Sequence, residues 1–214
     1  MTANVGLLWQ HANVSHTDSY LWKTVAQLLR NAPPPGKLFD LGCGNGFTAN
    51  RLEKMGYDVT AVDPSPSGIA QGRQAFPNLK LFVGSAYDDL AEKYGRFPLV
   101  ISLEVIEHCY DPRSYARTFY ALLEPGGLGI ISTPYHGYLK NLALALTGKL
   151  DRHFTVLWDG GHIKFFSPAT LTQLLLETGF EAPEIFRVGR IPPLAKSMIA
   201  VFKRPLANKN VGEA

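Results

Sequence analysis

Cysteine is scarce in this chain: the 214 residues hold two, Cys43 and Cys109. Two isolated thiols give neither a disulfide framework nor a cysteine-rich metal module, and they suit the reducing cytoplasm in which the protein is expected. Basic runs are missing as well. With 21 Lys and Arg against 18 Asp and Glu the formal charge is +3, and no Lys/Arg stripe interleaved with aromatics calls for a nucleic-acid partner. No apolar run approaches the ~20 residues that span a bilayer. The first residues lack the basic start and apolar centre of a secretion signal, so no stable membrane insertion is expected. Internal repeats and low-complexity tracts are also absent. His136, His153, His162, Asp151 and Asp159 crowd one stretch, but without H-x-x-x-H, H-E-x-x-H or comparable ligand spacing, and no metal is expected.

What is present is an ordinary globular composition, 46% hydrophobic and 18% charged, and enough chain for one α/β domain with a sizeable core. The expected domain covers residues 1–204, with 1–35 as an N-terminal helical cap and 205–214 as a flexible tail. Lys37-Leu-Phe-Asp-Leu-Gly-Cys-Gly-Asn-Gly46 reads as a buried strand running into a glycine turn that opens a helix from Phe47. Glycine admits positive φ and has no Cβ, so Gly42, Gly44 and Gly46 let the main chain bend sharply and approach a ligand. Position 47, where a dinucleotide fingerprint G-x-G-x-x-G needs its third glycine, is Phe. No Lys or Arg lies between 38 and 50, where a phosphate would favour one. Acidic Asp40 beside the turn suits a ligand bearing an ammonium and a sulfonium.

Asp58-Val-Thr-Ala-Val-Asp63 reads as the second strand. Asp63 ends it 21 positions after Gly42, close to the ~20 expected of an acid that accepts ribose hydroxyls. Ser65 and Pro66 then read as cap and first position of a helix. Further strands are expected at Leu79–Val83, Pro98–Ser102 and Leu128–Thr133, with Glu124-Pro-Gly-Gly127 as a turn, and Asp89 as a helix start. If Leu103–His108 is helical, Glu104 and His108 share a face. Asp18 or Ser19 can cap a helix carrying Leu21, Val25 and Leu29, behind a leader with Trp9, His11 and His16.

Four segments in this order, LFDLGCGNG (38–46), AVDPS (61–65), SLEVIEH (102–108) and LEPGG (123–127), resemble the class I S-adenosylmethionine-dependent methyltransferases. The flavour is that of the ubiquinone-biosynthesis O-methyltransferase-like group. The resemblance implies a Rossmann-like, seven-stranded, mostly parallel sheet with an antiparallel last strand, helices on both faces and an insertion after strand five. It implies that S-adenosylmethionine lies against Asp40, Gly42, Cys43, Gly44, Asn45 and Gly46, against Asp63, Pro64 and Ser65, against Ser85 and Ala86, and against Leu103 and Glu104. In many relatives an acid stands at the position of Ser85 and contacts the adenine amino group; here the serine or Asp88 is available for that contact. The Leu103 backbone is expected near the methionyl ammonium and His108 near the acceptor.

Residues 137–166 are long for a strand-to-helix link and form the expected substrate-side insertion. Leu139, Leu142, Ala143 and Leu146 are spaced to share one helix face, which can cover the methyl group or rest on a membrane or a second subunit in a homodimer. Methyl transfer from a sulfonium is an in-line displacement, so alignment carries much of the acceleration. A base is needed only for an acceptor that must lose a proton, and His108, His136 and His162 are the candidates. The expected activity is methylation of a small molecule on oxygen. Nitrogen or carbon acceptors, and a non-catalytic S-adenosylmethionine-binding protein, are the alternatives.

Overall fold

The computed structural model describes residues 18–32, 34–154 and 156–206; the leader with Trp9, His11 and His16 lies outside them. Chain order is α1 (Asp18–Arg30), β1 (Lys37–Leu41), α2 (Phe47–Lys54), β2 (Asp58–Asp63), α3 (Pro66–Ala75), β3 (Lys80–Val83), α4 (Leu90–Tyr94), β4 (Phe97–Leu103), a 3₁₀ turn (Ile106–His108), α5 (Pro112–Leu122), β5 (Leu123–Pro134), α6 (Tyr138–Leu146), α7 (Leu150–Phe154), α8 (Pro168–Thr178), β6 (Glu184–Val188), a second 3₁₀ turn (Pro192–Leu194) and β7 (Ser197–Lys203). The strands form one sheet in the order β3-β2-β1-β4-β5-β7-β6. β7 alone runs against its neighbours β5 and β6. The chain reverses direction across the sheet at β1/β4, and a doubly wound sheet binds ligands outside the carboxyl ends of its strands at such a point.

Alternation along β1 explains the two-sided core. Phe39 and Leu41 face a cluster containing Tyr115, Phe119 and Leu122 of α5 and Leu171, Leu174 and Leu175 of α8. Leu38 faces the opposite cluster, with Leu21, Val25 and Leu29 of α1, Leu52 of α2 and Ile69 of α3. Neighbouring strand residues point to opposite faces, so an unbroken apolar run is what a strand covered on both sides requires. Phe119 and Leu122 are fully buried, each contributing ~1.5–3 kcal/mol relative to exposure.

Local signals set the helix ends. The Ser65 hydroxyl accepts from Gly68 N at 3.2 Å and Pro66 opens α3. Asp89 accepts from Glu92 N to start α4, and Asp111 accepts from Ser114 N at the start of α5. Ser167 and Thr170 exchange bonds in a capping box, and Gly179 closes α8 at φ 101°. α1 is tied to α2 through the Arg51 guanidinium, 4.8 Å from the Trp22 ring and 5.1 Å from Phe47.

Two elements differ from their sequence reading. Glu124-Pro-Gly-Gly127 is no terminal turn but a bulge within β5: Phe97 pairs with Leu123 and Leu99 with Leu128, so three extra residues loop out. Gly126 N donates to Arg204 O there, and Arg204 N donates to Gly127 O. Leu103–His108 is not a helix. β4 runs through Leu103, Glu104 takes φ 55°, and only Ile106–His108 make a 3₁₀ turn. Glu104 and His108 therefore do not share a helical face.

Candidate functional site

The glycine turn is fixed from below by β2. Gly42 N and Cys43 N both donate to Val62 O, at 2.8 and 3.0 Å, and Gly46 N closes the turn on Cys43 O. At Gly42, φ is 86° and a Cβ would stand 2.4 Å from Val105 Cγ2. The residue after Glu104 thus occupies the space that a side chain at 42 would need. At Gly46, φ is 76° and a Cβ would meet Leu81 Cδ1 at 2.8 Å. Both glycines are required by turn shape and by protein packing, a reason beyond ligand approach.

Asp63 is the joint of this region. Its Oδ2 accepts from Gly44 N at 2.8 Å and its Oδ1 from Ser65 N at 2.8 Å, so one carboxylate holds the glycine turn to the start of α3. Each oxygen has two lone pairs, which leaves acceptor capacity for ribose hydroxyls. Burial raises its pKa, and the two backbone donors and the charge of His108 counteract this. Asp40, 2% exposed, has an Oδ2 with no hydrogen-bond partner. Desolvation, then the nearby Asp63 charge, push its pKa up to about 7. A cation beside Asp40 would favour its ionised form. Burial and Asp40 also raise the Cys43 thiol well above its usual range, which keeps it protonated.

The Ser85 and Asp88 alternatives sit in one loop. Ser85 N donates to Asp88 Oδ2 at 2.8 Å and Tyr87 N to Ser85 Oγ at 3.2 Å. Gly84 N donates to Asp63 O, so the loop rests on the same aspartate residue as the glycine turn.

At the end of β4 the acids diverge. The Glu104 carboxylate accepts from Ser132 Oγ at 2.8 Å and Ser197 Oγ at 3.1 Å, while its N donates to Ser132 O. Its side chain is thus spent on β5 and β7. Desolvation raises its pKa, and the two serines oppose the shift. Glu107, fully buried, accepts from Thr133 Oγ1 at 3.0 Å through Oε2, and its Oε1 has no hydrogen-bond partner. Desolvation, then Glu104, raise its pKa well above the usual range.

The histidines separate into two groups. His108 Nδ1 lies 2.8 Å from Gly160 O and 3.2 Å from Gly161 O. His162 is 4.9 Å from His108, ring centre to ring centre, and its Nε2 is 4.0 Å from Glu107 Oε1. Ile163 N and Lys164 N both donate to Glu107 O, docking the insertion on the 3₁₀ turn. His136 lies elsewhere, stacked on Phe154 at 5.9 Å, edge-on to Phe165 and 5.5 Å from His153. Burial first, then the Lys140 charge, push its pKa down to about 4. Among the described residues, the groups placed to hold a metal ion are Glu107, His108 and His162, with ligand atoms within 4.8 Å of one another. Of the five metal-type residues crowded between 136 and 162, only His162 belongs to this trio. Nothing in sequence spacing singles out Glu107; its partners lie 26 and 55 positions away.

α6 has the expected span, but the face formed by Leu139, Leu142 and Leu146 is exposed at 55, 40 and 79%. Its buried residue is Lys140, whose Nζ donates to Tyr135 O at 2.7 Å. Val156 and Leu157 are exposed as well. Among the described residues, no helix is long and apolar enough to cross a membrane.

Comparison with known proteins gives a family and a fold. Residues 14–184 match the family model described as a methyltransferase domain. A ubiquinone biosynthesis O-methyltransferase of Caulobacter sp. (strain K31) is 37% identical over 126 residues, 57% of this chain and 48% of that protein. The protein of that name from Azorhizobium caulinodans is 33% identical over 159 residues, 70% of this chain and 60% of that one. The matches thus span about half to three fifths of these relatives' length. Among solved structures, an S-adenosylmethionine-dependent methyltransferase from Mesorhizobium loti superposes with a TM-score of 0.61 at 17% identity, over 84% of this chain and 96% of that one. The CurJ carbon methyltransferase does so at 0.62 and 15%, over 86 and 52%. At such identities the likeness is one of fold. With four fifths of its length matched by the family model, the chain belongs to the methyltransferase-domain family.

Proposed function

We propose that this protein transfers the methyl group of S-adenosylmethionine to an oxygen of a small-molecule acceptor, with residues 1–204 as one catalytic domain and 137–166 as its acceptor-side insertion. The observation that carries the donor half is the pair of buried carboxylates around a glycine turn, Asp63 tying Gly44 to Ser65 and Asp40 holding an unpartnered oxygen. A cationic nucleoside without phosphate relieves the charge at Asp40, whereas a pyrophosphate would add to it. In this reading Asp63 accepts from the ribose, Ser85 or Asp88 meets the adenine, and the ammonium lies toward Asp40 and the Leu103 backbone. Oxygen as the accepting element is supported by the names of the curated relatives. His108 and His162, brought together where the insertion docks on the end of β4, mark the acceptor side; His136, with its lowered pKa, is the weaker base of the three. The two buried free thiols support a cytoplasmic setting.

The test is calorimetric titration of the purified chain with S-adenosylmethionine, its demethylated thioether product and NADH. Saturable 1:1 binding of the first two and none of NADH is expected; binding of NADH alone would overturn the reading. Acceptors are then screened in a metabolite extract with isotopically labelled methyl donor, and label recovered on a hydroxyl-derived ether identifies the accepting element.

A further inference from the structure

Beyond the carboxyl end of β5, positive groups gather without an acid to match them. Lys140, 8% exposed, spends its Nζ on two carbonyls, Tyr135 O at 2.7 Å and Lys196 O at 3.4 Å. A lysine is seldom buried this far without a carboxylate partner. The acid whose charge reaches it, Glu104, is already bonded by Ser132 and Ser197. Burial first, then the Arg190 charge, push the Lys140 pKa down to about 8. Burial, followed by the charges of Lys140 and Arg190, lowers that of His153 as well. Arg187 and Lys196, at the same end of the β6–β7 hairpin as Arg190, lie over the Tyr135 and Tyr20 rings at 5.3 and 4.9 Å. Among the described residues, ion pairs are made by Lys80, Arg113, Arg117 and His162 and by none of these cations. The start of α6 adds to the field: Gly137 caps it without a side-chain acceptor, which leaves the positive end of the helix uncompensated. The preceding residue, His136, is 7% exposed, and its Nδ1 has no hydrogen-bond partner.

We propose that Lys140, His153 and Arg190 form a binding site for an anionic group, a carboxylate or a phosphate, carried by the methyl acceptor. An anion there offsets like charges that the fold leaves together, and the planar fork of Arg190 suits either oxyanion. Lys140 has a third proton to donate, and His136, in the tautomer protonated at Nδ1, is a neutral donor beside them. The position fits an acceptor. Ser132 of β5 pairs with Leu103 at the end of β4, and His136 follows β5 by two residues, so the site borders the edge of the sheet next to the glycine turn. Lys140 belongs to α6, His153 to α7 and Arg190 to the link after β6; one bound anion would draw three separate pieces together. That the anion belongs to a methyl acceptor rests on the methyltransferase reading above, but the binding of an oxyanion by these residues does not.

The experiment is calorimetric titration of the full chain, with the demethylated thioether present, by hydroxybenzoate, by hydroxyphenyl phosphate and by uncharged hydroxybenzamide. One equivalent of at least one of the two anions is expected to bind, and the amide at least about tenfold more weakly; the tighter anion separates a carboxylated acceptor from a phosphorylated one. Arg190→Gln, at an exposed position, is expected to weaken that anion by at least about tenfold while leaving S-adenosylmethionine affinity unchanged. Lys140→Met should do the same, with a thermal melt to check that it folds. No saturable binding of either anion, equal affinity for the amide, or unchanged anion affinity in Arg190→Gln would overturn the proposal, whether or not S-adenosylmethionine binds. Anion binding in a chain that takes up no S-adenosylmethionine would uphold the site and sink the donor reading instead.

Discussion

The carboxyl ends of β1 and β2 and the stretch 135–166 treat polar and apolar groups in opposite ways. In the first region nearly every backbone donor near the turn has a partner close in sequence or on the adjacent strand: Gly42 and Cys43 on Val62, Gly44 and Ser65 on Asp63, Gly84 on the Asp63 carbonyl. In the second, leucines lie open to solvent while Lys140 and His136 are buried. It is held to the sheet through a few long-range contacts, among them those of Glu107 and His108. The glycine-turn region is thus preorganised by its own hydrogen bonds. The stretch 135–166, proposed above as the acceptor side, keeps apolar surface uncovered and is secured at a few points.

The sharpest way to break this comparison is to remove one side of it. Replacing residues 138–158 by a short Gly/Ser linker is expected to abolish methyl transfer while S-adenosylmethionine affinity, measured by calorimetry, stays within a few-fold of wild type. Loss of both would make the insertion part of the core. Asp63→Ala strikes the other side. It removes the acceptor for Gly44 N and Ser65 N and the proposed ribose contact, so binding should weaken by at least ~1.5–3 kcal/mol; unchanged affinity would refute the ribose role. Asp63→Asn, which keeps one acceptor oxygen, should fall between.

Asp40→Asn is the gentlest probe. The folded-state pKa of Asp40 is raised to about 7 from 3.8, so between these values the native state holds a proton that the unfolded chain releases. The contribution of this group to stability is full below pH 3.8 and is lost as pH rises through 7. Asn carries no charge, so the variant should be more stable than wild type at pH 7.5 and show little gain at pH 4. S-Adenosylmethionine affinity should fall at the same time. Thermal melts at the two pH values check the sign, and a variant destabilised at pH 7.5 would show that the ionised carboxylate has a partner in the fold.

Much of the region around the glycine turn is legible in the sequence because its determinants are local. The strand at 58–63, the cap at Ser65, the glycine turn and the spacing from Gly42 to Asp63 all lie within one βαβ unit. What could not be read depends on contacts across the sheet. That Val105 fills the space at Gly42, that Glu104 turns to Ser132 and Ser197, and that Glu107 faces His162 follow from how β4, β5, β7 and the insertion meet, and residue spacing carries no trace of it. Apolar spacing in 139–146 correctly gives a helix, but periodicity states only that one face is apolar, not that protein covers it.

The bulge in β5 is stitched by Arg204, just after β7. Because β7 is antiparallel, Lys203 lies beside Leu128 and Ser197 beside Pro134; the last described residues therefore emerge at the amino-terminal rim of the parallel strands, about 20 Å down the sheet from the crevice. Immobilisation through this end is therefore expected to leave the rim that carries the glycine turn facing outward.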